Sequence, residues 1–338
     1  MPTPVLICDD SGFARRQMAR SIPDGWDVDI SFAEHGQQAI ELIRQGKADV
    51  MFLDLNMPVM DGYKTMEVIQ EQDLPTMVIV VSGDVQPEAY AKMMALGALA
   101  FIAKPIDNQK ICDILNQYGL YCGAATSQER TEAVGAVAQG NEPDQLDAYR
   151  EMANIAMGRA GEQLAKLMGE FINLPIPNVN LITNNEIHMA IEDVKRNAAV
   201  SAVSQGFIGS GIYGEALVLF NDSNLTNIGK LLKYNHFSNN EAFELEALMD
   251  ISNILIGACL NALSEQLHIT FSHNHPIILG RHCDIDQLLD TKMVRWDKIL
   301  AIEIAYSIKS QDIHFDLLLL FPGNAMDIMF KKLVKTST

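Results

Sequence analysis

The stretch DAYREMANIAMG, residues 147–158, recurs as EALMDISNILIG, residues 246–257. Asn154 of the first copy corresponds to Asn253 of the second, 99 residues later, and both copies continue with Ile, two further residues and Gly. A repeat this regular is typical of a duplicated structural unit. We therefore predict that residues 145–338 form an α+β domain with an internal duplication.

Each copy is predicted to form a helix with one polar face, because positions i, i+4 and i+7 return to nearly the same angle. Two acids and an Asn therefore form a row on each helix: Asp147, Glu151 and Asn154 in the first copy, and Glu246, Asp250 and Asn253 in the second. A solvated helix face would explain one such row, but it requires no particular residue at any position. Pro177 and Pro276 recur with the same spacing of 99 residues, which favours a functional motif.

The repeated motif resembles the signature of the CheC/CheX/FliY phosphatases of bacterial chemotaxis. That signature is Asp, Ser or Glu, three residues, Glu, two residues, Asn, 22 residues and Pro, and the first copy matches it at every position. The second copy departs at Asp250, which replaces Glu and is one methylene shorter. The resemblance implies four phosphatase residues: Glu151, Asn154, Asp250 and Asn253. It also implies four residues that support the motif: Asp147, Pro177, Glu246 and Pro276.

The first 120 residues alternate short apolar runs with amphipathic helical patterns. The apolar runs, of which the one at 28–32 is the weakest, are residues 5–8, 28–32, 50–53, 77–81 and 100–103. The helical patterns lie near residues 12–21, 36–45, 62–71, 87–96 and 107–118. Nearly continuous apolar runs are typical of strands that are buried on both faces. The rhythm predicts an α/β doubly wound, five-stranded parallel sheet covered by helices on both faces.

Polar residues follow the apolar runs at the carboxyl ends, where open α/β sheets place their sites. These residues are Asp9 and Asp10 after the first run, Asp54 after the third, Ser82 after the fourth and Lys104 after the fifth. Carboxylates that converge on one crevice repel one another unless a cation joins them, and oxygen ligands with open water positions suit Mg²⁺. A Lys and a hydroxyl at the same edge suit the oxygens of a phosphoryl group.

This arrangement is similar to the response regulator receiver domain, including the Asn56-Met-Pro and Met60-Asp-Gly stretches. The resemblance implies that Asp54 is the phosphorylated residue, that Ser82 bonds the phosphoryl group and that Lys104 neutralises it. It implies a Mg²⁺ site that consists of Asp10, Asp54 and the Asn56 carbonyl, with Asp9 nearby or acting through water. Phe101 occupies the switch-aromatic position, although an ordinary core Phe fits there as well. The resemblance also implies a cis peptide bond between Lys104 and Pro105, a form that proline tolerates.

Composition excludes several classes of function. The net charge of −18 argues against nucleic acid or an anionic membrane as a partner. The five cysteines form no C-x-x-C pair, which leaves zinc ribbons and redox motifs unsupported. Four histidines, at 268, 273, 275 and 282, match no usual metal-ligand spacing, so we favour loop or strand-surface positions for them. No long apolar segment precedes the first strand, and we expect a cytoplasmic protein without membrane insertion.

Three segments are predicted: a receiver domain at 1–120, a linker at 121–144 that is small, polar and aperiodic, and the CheC-like domain with repeats at about 145–240 and 241–338. We expect a sensor histidine kinase of the CheA type to phosphorylate Asp54, and a phosphorylated CheY-like receiver to be the substrate. In the resembled family the Asn inserts toward the phosphoaspartate and the neighbouring acid contacts the receiver's Lys.

The alternative is a non-catalytic binding module. Its docking on a chemotaxis or flagellar-motor partner would be switched by receiver phosphorylation. The complete first motif favours the enzyme, whereas Asp250 is compatible with a second site that has become a binding surface. Whether the chain forms a homo-oligomer stays open.

Overall fold

The structure, a computed structural model, describes residues 2–121, 144–183, 200–221, 240–280 and 298–336, together with residues 186, 224, 227, 228, 231, 232 and 296. Most of the predicted linker lies outside these residues. Contacts divide the chain into two compact units, residues 1–151 and residues 152–338. The division falls after Glu151, a few residues later than the domain boundary predicted from the sequence.

The first unit contains five parallel strands in the order β2-β1-β3-β4-β5. The strands are β1 (Thr3–Cys8), β2 (Val28–Ala33), β3 (Val50–Leu53), β4 (Met77–Ser82) and β5 (Ala100–Ala103). The helices that alternate with them are α1 (Gly12–Ser21), α2 (Gly36–Arg44), α3 (Gly62–Glu71), α4 (Pro87–Ala95) and α5 (Asn108–Gln117). The predicted doubly wound parallel sheet is confirmed.

Two hydrophobic clusters cover the two faces of this sheet, which explains the continuous apolar runs. Leu6 and Cys8 of β1 belong to one cluster, and Val5 and Ile7 belong to the other. Successive side chains of a strand point to opposite faces, so an apolar run without alternation is required when both faces are covered. Each fully buried Leu or Ile contributes about 1.5–3 kcal/mol to this packing.

The loop after β3 passes close to the start of α3, and only glycine fits there. A Cβ at Gly62 would collide with the backbone carbonyl of Asp54. Gly62 N donates a hydrogen bond of 2.9 Å to Leu55 O, and the Asp61 carboxylate caps α3 by accepting from Lys64 N at 2.7 Å. These contacts fix the backbone that carries Asp54.

The described residues of the second unit form an antiparallel sheet and three long helices, the first of which, α6 (Gln145–Met168), begins in the first unit. The strands are β6 (Asn178–Ile182), β7 (Val200–Gly209), β8 (Ile212–Asn221), β9 (Ser272–His273), β10 (Ile277–Gly280), β11 (Ile299–Ile308) and β12 (Ile313–Pro322). The other two helices are α7 (Asn240–Leu267) and α8 (Gly323–Thr336). The strand order is β10-β7-β8-β12-β11-β6, with β9 paired to β7.

The sheet repeats in the same way as the sequence. The hairpin β7–β8 corresponds to β11–β12, and β8 pairs with β12 at the centre of the sheet. The edge strands are exchanged, because β10 of the second repeat pairs with β7 of the first, and β6 of the first pairs with β11 of the second. The predicted α+β fold with an internal duplication is confirmed.

Both motif helices pack on the same buried tyrosine of β11. The hydroxyl of Tyr306 donates to Met157 O of α6 at 3.4 Å and lies 3.9 Å from Cys259 Sγ of α7. Burial raises the pKa of Tyr306 well above its usual value and the pKa of Cys259 to about 12. Both groups are therefore neutral at physiological pH and act as core residues.

Within the part of the chain that is described, one helical segment, Leu245–Leu267 of α7, is long and apolar enough to span a membrane by length and composition. Its most apolar window is 56% buried inside the fold. The core helix of a soluble protein has the same properties, so this segment is weak support for a membrane span.

Candidate functional site

Three charged side chains meet at the carboxyl ends of β1, β3 and β5. Lys104 Nζ lies 2.8 Å from Asp9 Oδ2 and 3.3 Å from Asp54 Oδ1. All three side chains are buried, and Asp54 is only 2% exposed. The sequence predicted that these residues converge, and the structure brings them together because parallel strands end at one edge of the sheet.

A third carboxylate reaches Lys104 from the first turns of α6, within the same unit. Glu151 Oε1 lies 3.0 Å from Lys104 Nζ. Glu151 is 3% exposed, and its Oε2 has no hydrogen-bond partner among the described residues. The sequence predicted that Glu151 pairs with the Lys of a separate receiver, and in this structure Glu151 pairs with Lys104 of its own chain.

Acidic side chains outnumber the single Lys at this site. Burial raises the pKa of Asp54 well above its usual value, although Lys104 opposes the shift. Burial raises the pKa of Asp10 to about 6, with a further contribution from Asp9. Burial also raises the pKa of Glu151 to about 7, again opposed by Lys104. For Lys104, burial would lower the pKa, but Asp54, Asp9 and Glu151 outweigh that effect and raise it well above its usual value.

The predicted Mg²⁺ ligands can be tested against this geometry. Among the described residues, no group of three or more His, Cys, Asp or Glu side chains is arranged to hold a metal ion. Asn56 lies beside Asp54, because its N–H donates to Asp54 Oδ2 at 3.0 Å. Mg²⁺ in proteins is usually held by one or two carboxylates and keeps several waters. Asp10, Asp54 and the Asn56 carbonyl fit such a donor set.

Ser82 is the last residue of β4, and Phe101 lies on β5, the neighbouring strand that leads to Lys104. Lys104 N donates to Ser82 O at 2.9 Å, and the buried Ser82 Oγ accepts from Asp84 N at 3.1 Å. Phe101 is half-buried, packs against the core and lies 5.7 Å from the exposed ring of Tyr90. Its packing fits both the switch residue and the core residue. The Lys104–Pro105 peptide bond is cis, as expected.

The first motif row begins with a contact that the sequence did not predict. Asp147 Oδ2 accepts from Phe13 N at 2.6 Å and lies 4.0 Å from Arg16 Nη2. The partners are 134 residues apart, and no spacing rule links an acid on one helix to the first turn of another. Asn154, in the second unit, is buried at 7% exposure, and its Oδ1 has no partner among the described residues.

The second motif row has a different environment. Glu246 and Asn253 are exposed, and Asp250 is half-buried. Asn253 lines a groove of about 500 Å³ between α6 and α7, whose walls include Arg159 and Gly257. The two copies therefore differ in burial although their sequences align.

The remaining predicted residues lie at the edges of the sheets. Pro177 is buried directly before β6, and Pro276 is half-buried directly before β10. His273 lies 2.8 Å from Gln205 Nε2 through its Nδ1. His282 lies outside the described residues.

Comparisons with known proteins identify the first domain. Residues 5–116 match the family model of the response regulator receiver domain. A match of 102 residues to protein-glutamate methylesterase/protein-glutamine glutaminase 3 of Geobacter sulfurreducens is 36% identical and covers 30% of this chain and 27% of that protein. The chemotaxis protein CheY of Bacillus subtilis is 29% identical over 114 residues, which are 33% of this chain and 94% of CheY.

The chain spans 27–39% of the length of the first four methylesterase relatives. Among solved structures, FliY of Thermotoga maritima is similar with a TM-score of 0.41 and 19% identity, over 58% of this chain and 98% of that one. The family match and the five-stranded parallel sheet agree on the first segment. Residues 5–116 form a CheY-like response regulator receiver domain.

Proposed function

We propose that this chain is a two-component signalling protein of chemotaxis whose receiver, phosphorylated on Asp54, controls a CheC-like phosphatase. The phosphatase hydrolyses the aspartyl phosphate of CheY-type receivers in the cytoplasm. The observation that carries the proposal is the ion pair of 3.0 Å between Glu151 and Lys104. It supports the expectation that the acid of the motif fits the Lys of a receiver site.

The receiver site suits phosphoryl transfer to Asp54 from a sensor histidine kinase of the CheA type. The Asp54 carboxylate lies 3.3 Å from Lys104 Nζ, which can offset the charge of the added phosphoryl group. Ser82 Oγ, on the neighbouring strand, would donate to a phosphoryl oxygen. Mg²⁺ held by Asp10, Asp54 and the Asn56 carbonyl would supply further neutralisation of charge.

Hydrolysis of the aspartyl phosphate needs a water molecule that is held in line with the scissile bond. The water oxygen forms a bond to phosphorus while the bond from phosphorus to the aspartyl oxygen breaks, which yields inorganic phosphate and the free carboxylate. Asn154 is one helical turn beyond Glu151. When Glu151 pairs with a receiver's Lys, the carboxamide of Asn154 would accept from and donate to that water. Such positioning can contribute several powers of ten in rate.

Regulation would follow from competition for Lys104. Without phosphate, Glu151 is held by Lys104 and is not available to the Lys of another receiver. A phosphoryl group on Asp54 would take over Lys104, because it carries more charge and more acceptor oxygens than one carboxylate. The released Glu151 and the Asn154 that follows it would then act on a separate receiver.

The second candidate function is the non-catalytic binding module that docks on a chemotaxis or flagellar-motor partner. It is favoured by the second motif row, where Asp250 is shorter than Glu and both Glu246 and Asn253 are exposed. In that case the chain would bind a receiver without releasing phosphate.

A phosphate-release assay separates these functions. The chain, loaded with beryllofluoride and Mg²⁺ as a phosphoryl mimic on Asp54, is mixed with a CheY-type receiver that was phosphorylated beforehand. The enzyme predicts release faster than the spontaneous rate, and a return to that rate in the double variant Asn154→Ala/Asn253→Ala. Binding without accelerated release would identify the binding module instead.

A further inference from the structure

The acid at the first position of the motif, Asp147, has a partner that the proposed chemistry does not use. Helix α1 begins at Gly12, and its N-cap Ser11 accepts from Ala14 N at 3.1 Å. The first four N–H groups of a helix have no partner within the helix. Phe13 N is one of them, and it donates to Asp147 Oδ2 at 2.6 Å. Asp147 therefore completes the capping of α1 from a distant part of the sequence.

Gly12 provides the space for this contact. A Cβ at Gly12 would lie 3.3 Å from Asp147 Oδ2 and 3.5 Å from the guanidinium groups of both Arg15 and Arg16. The first of these distances is tighter than nine in ten contacts of a real Cβ, so a side chain at Gly12 would push the Asp147 carboxylate by a few tenths of an ångström and weaken its hydrogen bond with Phe13 N. The lack of a side chain at Gly12 therefore favours the contact between Asp147 and Phe13.

Asp147 and Glu151 lie on one face of α6, and each contacts a different part of the first unit. They are four residues apart, which corresponds to a rise of about 6 Å along the helix. Asp147 contacts a directional backbone donor beside Arg16, and Glu151 contacts Lys104. A single ion pair tolerates a range of angles, whereas a second contact on the same helix face fixes its register.

We propose that Asp147 is a positioning residue that selects receivers by the first turn of their helix α1. The contact is favoured by a glycine at the position of Gly12 and by a basic residue at the position of Arg16. This inference rests on the proposed function, because it names the receivers that the first motif copy accepts. The receiver of this chain is such a receiver, since it carries both features.

The contact itself is tested by amide hydrogen exchange at Phe13 in the full chain. Loss of a charge-assisted hydrogen bond at a helix start is expected to speed exchange roughly tenfold. We expect this acceleration in Asp147→Ala and in Gly12→Ala, and a smaller one in Asp147→Asn, which keeps an acceptor oxygen. The matched control is Glu162→Gln, which removes a carboxylate of the same helix that pairs with the exposed Lys166. Exchange at Phe13 that is the same in wild type and Asp147→Ala would overturn the contact.

Selection is tested with two full-length chains. The substrate chain carries Asp147→Ala, Asn154→Ala and Asn253→Ala, so that its own Asp147 does not occupy Phe13 N and it keeps its phosphate, and it is prepared with and without Gly12→Ala. The enzyme is the chain loaded with beryllofluoride and Mg²⁺, with and without Asp147→Ala. Either change is expected to raise KM about tenfold and to leave kcat within about twofold, because the contact lies away from the reacting atoms. The two changes together should add nothing further, because they remove the same contact.

The outcomes distinguish the two proposals. If neither substrate chain is hydrolysed, the proposed function fails, while the exchange experiment still reports on the contact. If hydrolysis occurs and KM is unchanged by Gly12→Ala and by Asp147→Ala, the function stands and the role of Asp147 is wrong. If the two changes add independently, Asp147 and Gly12 do not act through one contact, which also overturns the inference.

Discussion

Lys104 is the residue on which the proposed phosphoryl chemistry of the first unit depends. It is buried and lies within 3.3 Å of three carboxylates, those of Asp9, Asp54 and Glu151. Removing one partner of a buried ion pair leaves an uncompensated charge and typically costs about 3–5 kcal/mol. Here the carboxylates outnumber the ammonium, so the site tolerates the loss of an acid better than the loss of Lys104. Under the proposed function, this imbalance lets a phosphoryl group on Asp54 displace a carboxylate from Lys104.

Asp54 is expected to accept one phosphoryl group from a small acyl-phosphate donor in the presence of Mg²⁺. The intact chain should gain the mass of one phosphate, and Asp54→Asn should not, because its amide is not nucleophilic. A matched control is Asp61→Asn, a nearby acid that caps α3 and should leave the mass gain unchanged. A mass gain that persists in Asp54→Asn would show that another residue is phosphorylated.

Asn154 is expected to carry more phosphatase activity than Asn253. Its partner Glu151 reaches a receiver Lys, whereas Asp250 is one methylene shorter. Misplacing a water-positioning group can cost on the order of 10²-fold in rate, so Asn154→Ala should lower the hydrolysis rate by about that factor and Asn253→Ala by much less. The rates of the two single variants and of the double variant decide this. Equal losses in the two single variants would contradict the assignment.

At the scale of elements, the sequence predicts regular structure closely and long-range contacts poorly. The predicted helix at 12–21 coincides with α1, and the predicted strands at 50–53 and 100–103 coincide with β3 and β5. These elements are specified by local periodicity, to which each residue contributes. The exchange of β6 and β10 between the two repeats has no local signal, because either repeat could pair with its own edge strand.

The lack of a local signal also explains why the sequence did not predict the contact of Asp147 with Phe13. The row of Asp147, Glu151 and Asn154 follows from helix periodicity alone, but the contact of Asp147 with Phe13 joins residues 134 positions apart. The different burial of Asn154 and Asn253 likewise depends on packing around helices whose sequences correspond. Sequence reasoning predicted candidate reactive groups, and packing determines which of them are accessible.

The loop that carries Asp54 provides a test at this scale. Gly62→Ala is expected to destabilise the first unit by about 1–3 kcal/mol, because the new Cβ collides with the Asp54 carbonyl in a packed region. Urea unfolding followed by the buried Trp26, in a Trp296→Phe background, reports on this unit. Gly257→Ala is the control, since nothing lies within 4 Å of the added Cβ and alanine favours a helix interior. It lies in the second unit and should leave the transition that Trp26 reports unchanged. An unchanged midpoint for Gly62→Ala would refute the tight approach.

At the scale of the whole molecule, one chain combines a receiver with a duplicated motif that resembles a receiver phosphatase. The receiver is a two-state element that an added charge can bias. Self-hydrolysis of the Asp54 phosphate would erase the signal before any output, so we favour control of hydrolysis in trans. Under that hypothesis Glu151 is the shared group, held by Lys104 in the resting chain and used on a separate receiver after phosphorylation.

The most direct test of this control is the single-turnover hydrolysis of a phosphorylated CheY-type receiver by the full chain, with and without beryllofluoride and Mg²⁺. The substrate site is already occupied by phosphate, so the mimic loads only Asp54 of the enzyme. We predict slow hydrolysis by the unloaded chain and hydrolysis at least about tenfold faster by the loaded chain, with no such effect in Asp54→Asn. Equal rates with and without beryllofluoride would contradict the proposal that phosphorylation of Asp54 controls the phosphatase.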